Sequence, residues 1–128
     1  MHKVSLSSRT GRLHAKIADS NTHRRHYDRL VALLAEATKS EARVINLNGS
    51  AKPNPLTRQI PTSLIINPAE TLGIAQQEIF GPLMVVRTYD DLDEAIDYVN
   101  SQERPLAVYA FTDNDGFADH IIYNTNSG

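Results

Sequence analysis

Residues 76–100 read QQEIFGPLMVVRTYDDLDEAIDYVN, and this stretch decides how the chain folds. Leu83–Tyr89 is an apolar run rich in β-branched residues, which predicts a strand. Gly81 and Pro82 stand immediately before it, and these residue types favour a sharp turn of the backbone. The pattern therefore predicts a turn that leads directly into a strand.

The second half of the same stretch changes to helical spacing. Asp91–Asn100 carries apolar residues three and four positions apart, namely Leu92, Ala95, Ile96 and Val99. Asp90 or Asp91 can cap the helix, and Asp93 and Glu94 in its first turn complement the positive end of the helix dipole. These carboxylates are interpreted as capping groups and not as paired acid and base catalysts.

Towards the C-terminus, the sequence predicts one more strand and one more helix. Pro105–Thr112 (PLAVYAFT) has apolar residues on both faces, which is typical of an internal strand in a parallel or mixed sheet. From about Asp115, four residues share one helical face: Phe117, His120, Ile121 and Asn124. The chain then reads as if another strand should follow.

Towards the N-terminus, His23–Lys39 is predicted to form an amphipathic helix. Its apolar stripe consists of Tyr27, Leu30, Val31, Leu34 and Ala37, with Asn21 or Thr22 as the cap. Strands are predicted at Ala42–Leu47 and Thr62–Asn67, separated by a loop rich in Gly and Pro. The alternation of helices and strands favours an α/β fold whose sheet is mostly parallel or mixed.

Composition excludes several kinds of chemistry. The 128 residues contain no Cys, so disulfides, thiolate metal sites and cysteine nucleophiles are all absent. The hydrophobic fraction of 41% and the charged fraction of 22% are those of a soluble globular domain. No stretch approaches the roughly 20 apolar residues of a membrane span. We therefore expect a cytoplasmic protein without membrane contact.

Charge is distributed unevenly along the chain. Residues 1–30 hold seven Lys or Arg and two Asp or Glu, a net charge of +5. A basic arm can bind nucleic acid, but this one has no aromatic residue before Tyr27, so no nucleic-acid partner is expected. His23 and His26 are spaced to share a metal ion, yet no convincing third ligand lies nearby in the sequence, so no metal site is predicted.

The ordered set of segments resembles the aldehyde dehydrogenase family. The resemblance rests first on EIFGP at 78–82 and on the segments that follow it, which are a strand, a helix ending in YVN and the strand PLAVYAF. It rests also on three segments before this motif: HYDRLVALLAEA, ARVINL and PTSLIINP. Within the family, RPLAVYAF at 104–111 resembles the shorter, class-3-like members, which include coniferyl aldehyde dehydrogenases. It implies that residues 21–128 form an incomplete C-terminal part of the catalytic domain, whereas residues 1–20 are a poorly matched basic arm.

The resemblance also implies a cofactor and two residues that contact it. Glu78 would accept hydrogen bonds from the nicotinamide-ribose hydroxyls of NAD or NADP, and Phe80 would pack beside the nicotinamide. In the family, a Cys attacks the aldehyde, and this chain has none. No catalytic residue is therefore assigned, and the isolated chain is predicted to be inactive and to bind the cofactor weakly or not at all.

Other functions stay open at this level. The faces that would pack on missing segments are expected to be apolar and to form a homo-oligomer. A non-catalytic interaction module of the same descent is one alternative. The second alternative is one half of a split enzyme. The Cys would then lie on another chain, and only the complete enzyme would bind an aldehyde. The identity of the aldehyde and the choice between NAD and NADP are not determined by these residues.

Overall fold

The structure is a computed structural model that describes residues 20–128, and their side chains from residue 23 onward. These residues form two compact units that divide between Arg87 and Thr88. The first, which we call the sheet unit, contains three strands and two helices, and the second, the helical unit, contains two helices.

A three-stranded mixed sheet organises the sheet unit. Its strands are β1 (Arg43–Asn46), β2 (Ser63–Ile66) and β3 (Leu83–Val86), in that spatial order. β1 and β2 are antiparallel, with Arg43 opposite Ile66, whereas β2 and β3 are parallel, with Ser63 opposite Leu83. The α/β class and the mixed sheet are thus confirmed, and the strands are shorter than the sequence predicted.

Two helices accompany this sheet. The helix α1 (Ser20–Lys39) begins three residues before the predicted start, so that Asn21 and Thr22 lie within the helix and not ahead of it. A single helical turn, α2 (Gly73–Gln76), was not predicted from the sequence. Four residues carry too little periodicity to predict such a helix.

The core of the sheet unit lies between α1 and the sheet. The buried side chains are Leu30, Leu33, Leu34, Ala37, Ile65, Ile74, Ile79 and Leu83. Most of the predicted helical stripe is buried, but Leu33 is buried as well and Val31 is only half-buried. Because β2 is the central strand, Ile65 has no exposed surface.

The helical unit contains α3 (Leu92–Ser101) and α4 (Asp115–Asn124), joined by an irregular segment. The Asp91 side chain accepts a hydrogen bond of 2.8 Å from the Asp93 amide, which confirms Asp91 as the cap of α3. Asn114 caps α4 in the same manner, through a 3.1 Å bond from the Phe117 amide. Burial raises the pKa of the Tyr89 hydroxyl, which lies beside α3.

The prediction of a strand at Pro105–Thr112 is wrong. Between residues 88 and 128 the structure has no strand, and this segment is irregular. Leu106, Tyr109 and Phe111 are about 70% exposed, at 72%, 67% and 77%. A strand needs a neighbouring backbone to pair with, and strand propensity alone does not supply one. The apolar pattern suits a strand, but within residues 20–128 no backbone pairs with this segment.

Candidate functional site: the Glu78 loop

Gln77–Pro82 connects α2 to β3 and contains both predicted cofactor-contacting residues; we call it the Glu78 loop. Its side chains alternate in exposure. Ile79 is 5% exposed and belongs to the core, whereas Glu78 is exposed and Phe80 is 64% exposed. The buried Ile79 therefore fixes the middle of the loop, and the carboxylate and the aromatic ring on either side of it reach solvent.

The backbone of this loop is unusual at Phe80. Its φ angle is 50°, in the left-handed region that residues with a side chain rarely occupy. Such a conformation costs about 1–2 kcal/mol for a residue other than glycine. Contacts from neighbouring parts of the sheet unit must offset this cost, and α1 supplies them.

Arg29 on α1 contacts two consecutive carbonyl groups of the loop. Its Nη1 donates a hydrogen bond of 3.0 Å to the Glu78 carbonyl, and its Nη2 donates one of 2.7 Å to the Ile79 carbonyl. The guanidinium group is planar and holds its donors in a fixed fork, so one side chain can satisfy two acceptors at once. These bonds hold the two consecutive peptide units that meet at Ile79.

His26, one helical turn before Arg29, contacts the next carbonyl. Its Nε2 lies 2.9 Å from the Phe80 oxygen. A carbonyl oxygen can only accept, so Nε2 carries the hydrogen, and Nδ1 is left to accept from Arg29 Nη2 at 3.4 Å. Both ring nitrogens of His26 thus face partners within the protein, and neither points away as a metal ligand would.

Among residues 20–128, no three His, Cys, Asp or Glu side chains group to hold a metal ion.

Gly81 and Pro82 fit the loop closely against the core. A Cβ atom on Gly81 would lie 2.5 Å from Leu30 Cδ1, a distance that real contacts do not allow. Leu30 is buried and has little room to move away. The Pro82 carbonyl accepts a hydrogen bond of 3.0 Å from the amide of Ser63 in β2. The small residue thus permits the close approach of α1, and the proline joins the loop to the sheet.

The chemistry of this site follows from the groups that stay free. Across the described part of the chain, the Glu78 carboxylate makes no hydrogen bond and no ion pair, although the carbonyl of the same residue is held by Arg29. A carboxylate accepts several hydrogen bonds and can serve two vicinal hydroxyls. The exposed Phe80 ring offers a flat apolar surface two residues away. The loop thus presents a hydrogen-bond acceptor and an apolar ring surface to solvent.

Sequence reasoning found the two outward-facing residues but missed those that hold them. Arg29 lies 49 and 50 positions before its two acceptors, and in the sequence it stands out only as one of the basic residues of positions 1–30. It also missed the 2.6 Å hydrogen bond between His120 Nε2 and Asp93 Oδ1 in the helical unit. No local pattern predicts either contact, because each depends on which elements pack together.

No helix within residues 20–128 has the length and apolar character needed to cross a membrane. This finding concerns the helices alone.

Comparison with known proteins identifies the family to which this arrangement belongs. The model for the "Aldehyde dehydrogenase family" matches residues 13–128. A probable coniferyl aldehyde dehydrogenase of Caulobacter vibrioides is 41% identical over 106 residues, which are 81% of this chain and 22% of the relative. Aldehyde dehydrogenase family 3 member B2 of Mus musculus is 39% identical over 71 residues, or 56% of this chain and 15% of the relative.

Solved structures agree on the fold. The aldehyde dehydrogenase of Mycobacterium tuberculosis complexed with NAD⁺ superimposes with a TM-score of 0.68 at 24% identity, over 82% of this chain and 22% of that one. These residues therefore share their α/β fold with a part of that structure. The chain belongs to the aldehyde dehydrogenase family. Within it, the chain is similar to coniferyl and family 3 enzymes, and it spans about a fifth of the length of the coniferyl relative.

Proposed function

We propose that the Glu78 loop forms the nicotinamide-ribose side of an NAD(P) site in an aldehyde dehydrogenase. The observation that supports this proposal is the loop geometry, in which a free carboxylate and an exposed ring flank a buried isoleucine. NAD⁺ is present in a structural relative. When bound, NAD(P)⁺ supplies the hydride acceptor for aldehyde oxidation.

The residues present suit this group. Glu78 would accept hydrogen bonds from both ribose hydroxyls, because its carboxylate is exposed and has no partner among the described residues. Phe80 would pack against the nicotinamide and limit the access of water to it. Neither residue would take part in proton transfer or bond formation. Their task is to bind and orient.

We further propose that these 128 residues do not oxidise aldehydes by themselves. The resemblance to the family implies attack by a Cys thiolate, and no Cys is present. Their contribution would then be to a larger assembly, either within one longer polypeptide or together with a second chain. Coniferyl aldehyde is the first substrate to test with such an assembly, because it is named in relatives of this chain.

We expect NAD⁺ to bind these residues with a dissociation constant of about 1 mM or weaker, on the order of −4 kcal/mol. The reason is that the Glu78 loop offers contacts to one end of the dinucleotide only. Isothermal titration calorimetry measures this constant, and micromolar binding would contradict the expectation. Nicotinamide mononucleotide, which carries only the ribose and nicotinamide end, should shift the amide resonances of Glu78–Gly81 in a ¹H–¹⁵N spectrum.

The same titration tests the assignment of Glu78. Glu78→Ala should weaken nicotinamide mononucleotide binding by about tenfold, because each ribose hydroxyl loses a charged acceptor. Glu41→Ala is the matched control, since it removes another exposed carboxylate from outside the loop. Equal affinities for the two variants would argue against a role for Glu78.

Self-association is the second proposal, and it is supported by the surface of the helical unit. Five large apolar side chains are exposed there: Leu106, Tyr109, Phe111, Ile122 and Tyr123. Surfaces of this kind tend to be covered by another chain. Sedimentation equilibrium should therefore show a homo-oligomer that Tyr109→Ser and Phe111→Ser together convert to a monomer. A wild-type monomer at all concentrations would exclude it.

The interaction-module and split-enzyme alternatives make different predictions about NAD⁺. A module should form a specific complex that does not depend on NAD⁺, whereas a split enzyme should produce NADH only when the Cys-bearing chain is added. The cytoplasmic location and the absence of a nucleic-acid partner stay predictions. The basic arm predicted at residues 1–20 lies, apart from Ser20, outside the described residues. Cell fractionation and an electrophoretic mobility assay would test the two predictions.

A further inference from the structure

We infer that Arg29 and His26 are positioning residues that hold the Glu78 loop in the conformation that presents Glu78 and Phe80. We call this pair the α1 clamp. As a contribution to cofactor binding, the inference rests on the function proposed for the loop. It concerns two residues of α1 that would not touch the cofactor themselves and would act only through the loop backbone.

The first argument is the direction of three consecutive carbonyl groups. In an extended strand, successive carbonyls point to opposite sides, so three in a row cannot all meet one neighbouring element. Here the carbonyls of Glu78, Ile79 and Phe80 are all bound by a single turn of α1. The clamp thus stabilises a backbone conformation that is not extended, in the residues just before β3.

The second argument is the left-handed conformation of Phe80. Its φ of 50° is unfavourable for a residue with a side chain, and the carbonyl of that same residue is the one held by His26. Without the clamp, we expect the loop to relax towards ordinary extended angles. The Phe80 ring would then change direction, because it is attached to the backbone that rotates.

The third argument is that the two clamp residues are oriented by one another. Arg29 Nη2 donates to the Ile79 carbonyl at 2.7 Å and lies 3.4 Å from His26 Nδ1. This contact leaves the hydrogen on Nε2, where the Phe80 carbonyl needs it. Lysine cannot replace Arg29, since its single ammonium group does not present two parallel donors in a plane.

The experiment compares the charge-conserving variant Arg29→Lys with Arg24→Lys, a matched change at an exposed arginine of the same helix. Two readouts are needed. The heteronuclear ¹⁵N NOE of the Ile79, Phe80 and Gly81 amides, measured without ligand, reports loop order. The titration with nicotinamide mononucleotide reports cofactor-end affinity. We expect Arg29→Lys to lower the NOE values and to weaken binding by about tenfold, and Arg24→Lys to change neither.

A second pair of variants guards against a folding failure. His26→Gln keeps a nitrogen donor near the position of Nε2 and should preserve loop order, whereas His26→Ala should lose it. Equal NOE values and equal affinities in Arg29→Lys and wild type would overturn the inference. If the wild-type loop shows no response to nicotinamide mononucleotide, the proposed function fails. The ligand-free NOE comparison would then still decide whether the clamp orders the loop.

Discussion

Replacing Leu83 with alanine is expected to lower the free energy of unfolding of the sheet unit by about 2–5 kcal/mol. Leu83 is 1% exposed at the start of β3, within the core between α1 and the sheet. Truncation removes buried apolar surface and leaves a cavity that close-packed neighbours cannot fill. Small domains are stable by only about 5–15 kcal/mol, so this change should unfold a measurable fraction of the protein.

The matched control is Leu56→Ala, which makes the same chemical change at a side chain that is 94% exposed. Surface changes of this kind usually alter stability by within about 0.5 kcal/mol. Urea unfolding followed by circular dichroism measures both variants against wild type. Similar losses in the two variants would show that Leu83 is not part of a packed core, and the arrangement of β3 against α1 would be wrong.

Sequence patterns predicted most elements of this fold because each element carries its own signal. The apolar stripe of α1 and the aspartate that caps α3 depend on residues a few positions apart, and both were confirmed. β3 was recognised from a run of apolar residues, although it ends at Val86 and not at Tyr89. Segment ends depend on where a neighbouring strand stops, which local sequence does not encode.

Pro105–Thr112 shows the opposite case. Its residue types favour a strand, but strand formation is settled by hydrogen bonds to a second backbone. Within the described residues the sheet ends at β3, and Leu106, Tyr109 and Phe111 are exposed. The apolar pattern thus shows that this segment could form an internal strand of a sheet. It does not show whether a neighbouring strand is available to pair with the segment.

In the candidate site, too, some residues were predicted from local sequence and others were not. Glu78 and Phe80 were found through the motif that contains them, and the structure places both side chains at the surface of one loop. Arg29 and His26 were not predicted to hold this loop, because their acceptors are backbone carbonyls, which carry no residue-type signal. Contacts between a side chain and distant main-chain atoms can be identified only in the structure, where the packing of the elements is known.

Purified as these 128 residues, the protein is expected to produce no NADH from coniferyl aldehyde and NAD⁺ above the rate of buffer alone. The nucleophile implied by the family resemblance is absent, because the sequence contains no Cys. Loss of a nucleophile in enzymes that use covalent catalysis can cost roughly a millionfold in rate. Absorbance at the NADH band measures the reaction, with a full-length coniferyl aldehyde dehydrogenase as the positive control and NADP⁺ as the alternative cofactor.

The absence of Cys also gives this assay an internal control. Iodoacetamide inactivates enzymes whose nucleophile is a thiolate, but it has no thiol to alkylate in this chain. Activity that the reagent abolishes therefore belongs to a contaminating dehydrogenase from the expression host. Activity that survives the reagent and falls in Glu78→Ala would contradict the prediction, since it would require these residues to oxidise aldehydes through a nucleophile other than sulfur.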